Sequence, residues 1–274
     1  MRVAVLGPKG TYSDLAAREF FKGRKMEPIY FSMISDVVAA VEKGDADVGF
    51  IPVESLMEGS VGEALDALAW HDVKIQAEMV FPISHSLLAV KGARLKDITQ
   101  VLSHPQALAQ CREFIKKNLP KAELIEMSST AKAAEQVAKV GQKHMAAIGP
   151  KILGKFYGLV VLREDIQSGE ENITRFFCIS KVDREKSGRD KTSIVFYTAR
   201  DRPGILYEIL GEFAERKINL TKIESRPSKK ALGDYLFFID FEGHREDQIV
   251  KEALEGVRKK TAMLKILGSY PRKF

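Results

Sequence analysis

The sequence predicts an α/β protein in two parts. Residues 1–182 form a pair of similar lobes with a cleft between them, and residues 192–274 form a smaller βαββαβ module. Three observations carry this reading. Short apolar runs alternate with helix-period segments up to about residue 180, an order that builds mostly parallel sheets with helices on their faces. The stretch VDREKSGRDK at residues 182–191 carries seven charges and no large apolar residue after Val182, so residues 183–191 read as a linker. Beyond it the order changes to strand, helix, strand, strand, helix, strand, a split βαββαβ unit.

Each element has its own local signal. Arg2–Leu6 is a short apolar run ending in the turn Gly7-Pro8-Lys9-Gly10, with a helix beginning near Ser13. Pro28–Phe31 reads as a strand. Ser35–Lys43 reads as a helix with Ser35 as its N-cap and Gly44 as its stop. Asp47–Ile51 is a buried strand, and Ser60–Trp70 is a helix with Val61, Leu65 and Leu68 at helical spacing. The pattern restarts near residue 80, giving lobes of about residues 1–80 and 81–182, between which the chain can cross back. Ile83–Val90 alternates as a strand does, and Gln100–Ser103 is a strand. Pro105 opens a helix at the position where its missing N–H costs nothing. Glu123–Met127 is a strand, Ser128 or Ser129 caps a helix through Val140, and Met145–Gly149 is a strand followed by a helix opened by Pro150. Val160–Leu162 and Arg175–Lys181 complete the second lobe. In the last module, strands at Thr192–Thr198, Ile218–Arg226, Asp234–Phe241 and Thr261–Tyr270 frame helices at Gly204–Lys217 and Glu246–Lys260. Its sheet leaves one face and its edges open, which pairing with a second copy would cover.

Composition narrows the function classes. Of 274 residues, 45% are hydrophobic and 29% charged, ordinary for a globular protein, and no run approaches the ~20 apolar residues that span a bilayer. The N-terminal apolar run is too short for a signal peptide. Cys111 and Cys178 make neither a disulfide framework nor a metal-ligand spacing, and they read as buried hydrophobes in a reducing cytoplasm. The net charge of +6 raises the question of an anionic partner, but residues 1–190 hold 26 basic and 25 acidic side chains, whereas residues 191–274 hold 17 and 12. That last third shows no aromatic-basic stripe of the kind that stacks on bases, so nucleic acid is not the expected partner. Neither is a membrane.

Several segments have residue types suited to chemistry. Gly7 to Ser13, with Thr11 and Tyr12, sit between the first strand and first helix, where glycines and a helix start favour an anion, or where they simply make a capped turn. Pro52-Val53-Glu54-Ser55 and Ser60 follow the third strand, the end of an open sheet where ligand loops collect, or they make a plain loop in which Ser60 caps the next helix. Asn172-Ile173-Thr174-Arg175-Phe176 offers a hydroxyl and a guanidinium that can grip a carboxylate, or a strand with one solvent-facing arginine. His104 reads as a helix-start residue, and His85 is the other imidazole of interest. In the last module Asp201-Arg202-Pro203-Gly204-Ile205-Leu206 and Glu224-Ser225-Arg226-Pro227 end their strands, and Gly204 permits close approach of an amino acid's carboxylate.

Taken together, these segments resemble the prephenate dehydratase family over essentially the whole chain. The resemblance rests on GPKGTYS at 7–13, PVES with GSV at 52–61, SHPQALAQC at 103–111, the Ser129-Thr130 helix, YGLVVL at 157–162 and NITRF at 172–176. The C-terminal part looks like an ACT domain. Two positions depart from the family pattern: Ser55 and Leu56 replace Asn and Ser, and Asp14 stands where His is common.

The resemblance implies a periplasmic-binding-protein-like two-lobed catalytic domain and a lyase that converts prephenate to phenylpyruvate in phenylalanine biosynthesis. It implies no cofactor and no metal. Thr174, Arg175 and Phe176 would be catalytic; Thr11, Tyr12, Ser13, Glu54, Ser55, Ser129, Thr130 and Asn172 would contact substrate. L-phenylalanine would be the effector, bound by Gly204, Ile205, Leu206, Glu224, Ser225, Arg226 and Pro227 in a homodimer or homotetramer. Arogenate dehydration and a non-catalytic small-molecule sensor are the alternatives.

Overall fold

The computed structural model describes residues 1–169, 172–198, 202–229 and 234–273. Asp201, part of the turn singled out above, lies outside them. Contacts divide the chain into two compact units. One comprises Met1–Val37, Phe50–Val61 and Val80–Phe176; the other comprises Val38–Gly49, Gly62–Met79 and Phe177–Phe274.

The N-terminal half opens with β1 (Arg2–Leu6), α1 (Tyr12–Phe20), β2 (Glu27–Phe31), α2 (Ile34–Lys43), β3 (Val48–Ser55), β4 (Gly59–Ser60), α3 (Gly62–Trp70) and β5 (Lys74–Pro82). Then come β6 (Ser86–Ala89), β7 (Gln100–Ser103), α4 (Pro105–Gln110), α5 (Arg112–Asn118), β8 (Glu123–Glu126), α6 (Thr130–Val140), β9 (Met145–Gly149), α7 (Ile152–Tyr157), β10 (Val160–Arg163) and β11 (Ile173–Ser180). The first sheet runs β2-β1-β3-β11-β5 with β4 hairpinned onto β3, and the second runs β10-β6-β9-β7-β8.

Several expectations change here. β11 belongs to the first sheet, not to the lobe that precedes it in sequence: the chain crosses back, so Thr174 and Arg175 stand on the strand next to β3. Ser35 is not an N-cap, because α2 already begins at Ile34. Ser60 does not cap α3; it pairs with Glu54 in the hairpin of β3 and β4. Pro52–Ser55 are strand residues rather than loop. The expected strand Ile83–Val90 is only Ser86–Ala89, and a longer strand precedes it at Lys74–Pro82. The alternation of Ile75, Ala77, Met79 and Phe81 is the sequence signal for that strand. Both sheets are mixed: β1–β2, β7–β8 and β7–β9 are parallel, while β6 runs antiparallel to β9 and β10.

The second sheet shows why its strands read as continuous apolar runs. Leu87, Ala89, Val101, Ala146 and Ile148 face one core with α4 and α5; Leu88, Leu102 and Ala147 face another with α6 and Leu153 of α7. Both faces are covered, so successive residues are all apolar.

The C-terminal module comprises β12 (Asp190–Thr198), α8 (Ile205–Ala214), β13 (Leu220–Pro227), β14 (Tyr235–Glu242), α9 (Gln248–Lys260) and β15 (Thr261–Pro271), with strand order β13-β14-β12-β15. Ile194, Phe196, Ile239 and Phe241 bury one face of this sheet against Ile209 and Phe213 of α8 and Val250, Leu254 and Val257 of α9. The linker is shorter than expected. Asp190 and Lys191 are buried strand residues, and Lys191 Nζ lies 2.7 Å from Oε2 of Glu78 on β5. Charge alone marked these two as solvated; a buried partner far away in sequence holds one of them inside.

In the same unit α3 is held at two points. Arg226 on β13 pairs with Asp66, and Lys265 on β15 donates to the carbonyls of Leu68, Ala69 and His71 at 2.8, 3.2 and 2.5 Å, capping the helix's C-terminal end.

Candidate active site

The turn after β1 is built around one buried carboxylate. Thr11 caps α1: its Oγ1 accepts from the Asp14 amide at 3.3 Å and donates to the Leu6 carbonyl at 3.0 Å. Asp14 is fully buried, and its carboxylate accepts from the Gly10 amide at 2.9 Å, the Tyr30 hydroxyl at 2.8 Å and Arg18 Nε at 2.9 Å. The position that departs from the family pattern therefore anchors the turn. Gly10 has φ +88°, and a Cβ there would come within 2.7 Å of Leu153 Cδ2. Leu153 also touches the position of a Cβ on Gly149, beside Thr130, so the first turn and the start of α6 converge on one side chain. Ser129 caps α6, accepting from the Lys132 amide at 3.1 Å, and Ser129 and Thr130 are buried.

The β3–β4 hairpin and β11 meet side by side. The Leu56 amide donates to the Ile173 carbonyl at 2.9 Å, and Arg175 forms an ion pair with Glu54 at 2.7 Å with the guanidinium largely buried. Glu54 thus fixes the direction of the guanidinium, the one cation of the Asn172-to-Phe176 segment. Ser55 is buried and accepts from the Met57 amide at 3.3 Å, tightening the turn that carries the exposed Leu56. Phe176 is buried and stacks on Phe50 with centroids 5.2 Å apart. The Thr174 hydroxyl is half-buried and makes no hydrogen bond among the described residues.

A buried polar chain runs beside these residues. The Tyr12 hydroxyl lies 3.0 Å from His85 Nδ1 and donates to the Ser84 carbonyl; His85 Nε2 lies 2.9 Å from Gln110 Oε1; and Asn172 Nδ2 donates to the same Oε1 at 2.9 Å. Burial pushes the Tyr12 phenol well above its usual pKa and pulls His85 below its own, the Gln110 hydrogen bond opposing the latter. Sequence reasoning missed Gln110, although it stands in the SHPQALAQC run; only the folded chain brings it within reach of His85 and Asn172. His104 caps α4, as expected, accepting from the Gln106 amide at 3.3 Å. Burial lowers its pKa against the opposing charges of Glu58 and Glu126. Ser13 is buried at the start of α1.

In the C-terminal module Gly204 is the exposed N-cap of α8 at φ +84°, and Ile205 and Leu206 pack on the core. Arg226 and Tyr197 both pair with Leu236, so the C-terminal ends of β12 and β13 lie at one end of the sheet. Glu224 is 3.1 Å from Lys222 and 3.8 Å from Arg226; Ser225 and Pro227 are exposed. Asp66, which sequence reasoning missed, accepts from Arg226 at 3.1 and 3.3 Å and from Lys229 at 2.7 Å. Burial raises its pKa, but the two cations outweigh this and hold it below the usual aspartate value. Among the described residues no group of three or more metal-ligating side chains occurs, and no helix is long and apolar enough to cross a membrane.

The prephenate dehydratase family pattern matches residues 3–184, and the ACT domain pattern matches residues 192–259. The chain belongs to the prephenate dehydratase family. It is 45% identical over 272 residues to a bifunctional chorismate mutase/prephenate dehydratase of Aquifex aeolicus, covering 99% of this chain and 74% of that one. It is 42% identical over 269 residues to a prephenate dehydratase of Methanocaldococcus jannaschii, covering 96% of each. Its fold superposes on the crystal structure of an Arthrobacter aurescens prephenate dehydratase in complex with L-Phe with a TM-score of 0.92 and 36% identity, over 99% of this chain and 90% of that one. This family carries out the lyase chemistry that the motifs imply.

Proposed function

We propose that the protein is a prephenate dehydratase that removes carbon dioxide and water from prephenate to give phenylpyruvate, with feedback by phenylalanine at the ACT domain. The observation that carries this reading is Thr174. Its hydroxyl has no hydrogen-bond partner among the described residues, and it is flanked by Asn172 and by an arginine oriented by Glu54.

The chemistry asks for little beyond pose and hydrogen bonding. The bond from the ring to its carboxylate breaks, its electron pair aromatises the ring, and the C–O bond to the ring hydroxyl breaks on the far side. The departing oxygen needs a second proton or a strong hydrogen bond, which Thr174 supplies. A threonine is a weak acid, so it relays or positions a proton that comes ultimately from water. Arg175 holds the side-chain carboxylate of the substrate, away from the ring carboxylate, which must leave as neutral gas. Helix starts at Thr11 and Ser129 with Thr130 add oriented N–H groups, and Tyr12, Ser13, Ser55 and Phe176 shape the walls.

Phenylalanine binding involves Gly204, Ile205, Leu206 and Glu224–Pro227. The protein works as a homodimer or homotetramer in the cytoplasm; the exposed side chains of Tyr207, Ile223 and Tyr235 support pairing of ACT modules.

The test offers prephenate and arogenate separately and follows aromatic product with and without phenylalanine. Turnover of prephenate, lowered by phenylalanine, is expected. Thr174→Ala should lower kcat by about 10²- to 10³-fold, with Thr174→Ser recovering most of it. Absence of product from prephenate would refute the reading, and product from arogenate alone would move the substrate to its amino counterpart.

A further inference from the structure

We infer that His85 is a positioning residue for this reaction: acting through Gln110, it holds the Asn172 amide with its oxygen presented to the hydroxyl that leaves as water. The inference rests on the prephenate reading and assigns a role within that site to residues that do not themselves carry the reacting atoms.

The orientation of one amide decides the matter. Gln110 Nε2 faces Glu58 Oε1 at 3.5 Å. Turned over, the amide would set its oxygen against that carboxylate. Gln110 Oε1 therefore points the other way, where His85 Nε2 and Asn172 Nδ2 each lie 2.9 Å from it. That oxygen has two lone pairs, and both are taken, so both neighbours must donate. His85 is then the Nε2–H tautomer, with unprotonated Nδ1 3.0 Å from the Tyr12 oxygen, whose single hydrogen is shared between Nδ1 and the Ser84 carbonyl. Asn172 is fixed with its NH2 toward Gln110.

The consequence falls on the other end of Asn172. Its Oδ1 is buried with no hydrogen-bond partner among the described residues, in a residue only 6% exposed. A buried amide oxygen left so carries an uncompensated desolvation cost, which a bound donor removes. Prephenate as a dianion has one O–H group, the ring hydroxyl that departs. Asn172 immediately precedes β11, two residues from Thr174, and alternation continued back from that strand puts the two on the same side of the chain. The leaving oxygen can donate the hydrogen it already has to Asn172 Oδ1 and receive its second at a lone pair from the side of Thr174. His85 touches neither atom. Its burial at 2% exposure keeps it neutral, and its N–H keeps Gln110 from turning.

Three substitutions separate this role from packing. His85→Gln sets a side-chain N–H where Nε2 stands. His85→Asn reaches only the Nδ1 position, and His85→Phe fills the space with neither. With prephenate as substrate, Asn and Phe should lower kcat about 10- to 100-fold while KM moves less than about threefold, and Gln should stay within about fivefold of the parent. In an Asn172→Leu background the His85 substitutions should have no further effect. Parent-like turnover in all three variants would overturn the inference. So would a Gln variant as slow as Phe, or a full His85 effect persisting without Asn172. If the Phe variant does not fold, as judged by its melting transition, the Gln and Asn pair decides alone. An inactive parent protein would instead fail the substrate reading and take the inference with it.

Discussion

Lys191 offers the sharpest test of the fold. Its ammonium lies 2.7 Å from Glu78, and the two side chains are 4% and 0% exposed. Replacing Lys191 by Met keeps the apolar stem and removes the ammonium beside the buried Glu78 carboxylate, which keeps its hydrogen bond from the Lys273 amide at 3.4 Å. Breaking a buried pair by removing one partner costs about 3–5 kcal/mol, because the remaining buried charge loses compensation. Unfolding entropy per residue, summed over 274 residues, converts that loss to a drop in Tm of roughly 5–9 °C. Removing both charges, as in Glu78→Gln with Lys191→Met, should restore most of the loss, since the penalty belongs to the stranded carboxylate rather than to a missing attraction. Denaturant midpoints and melting curves of the parent, both single variants and the double variant give the comparison. A Lys191→Met protein within about 1 kcal/mol of the parent would show that water reaches Glu78 and would refute the reasoning.

Two further outcomes are expected. Cys111 is fully buried and burial pushes its thiol up to about 12, so the native protein at pH 8 should not react through it with an aromatic disulfide reagent, while the denatured protein shows both thiols; rapid native modification of Cys111 would contradict this. His85 has a folded pKa below its ordinary 6.5, so the unfolded chain takes up the proton first as pH falls: stability is full above about 6.5 and declines below it until the folded group also protonates. The stability advantage of the parent over His85→Gln should therefore shrink between pH 7 and pH 5, and equal pH slopes in the two proteins would refute it.

Much of the architecture was legible because it is written in local periodicity. A serine cap at 128 or 129, Pro105 at the start of α4 and the order of the C-terminal module follow from neighbouring residues, whereas the first helix starts one residue before Ser13, capped by Thr11. The failures share one cause. That β11 inserts next to β3, that Ser60 pairs with Glu54 rather than capping a helix, and that Lys191 is buried against Glu78 are all outcomes of contacts between distant segments. No window of ten residues contains them. The site divides in the same way. Thr174, Arg175 and Glu54 stand in runs that were marked, whereas Gln110 and Asp66 become visible only when their partners arrive. Asp14 shows the limit of a pattern departure: its meaning is the turn it holds, which its neighbours in sequence do not reveal.

The grip of Arg226 and Lys265 on α3 bears on how such enzymes can be recombined. The family pattern assigns α3 to the segment 3–184, yet its contacts group it with the ACT residues. An ACT domain exchanged at the boundary suggested by sequence would meet an Asp66 and a set of helix-end carbonyls made for another domain's cations. Exchange among relatives should therefore succeed when residues 62–79 travel with the domain, so the inherited unit is larger than the one that alignment outlines.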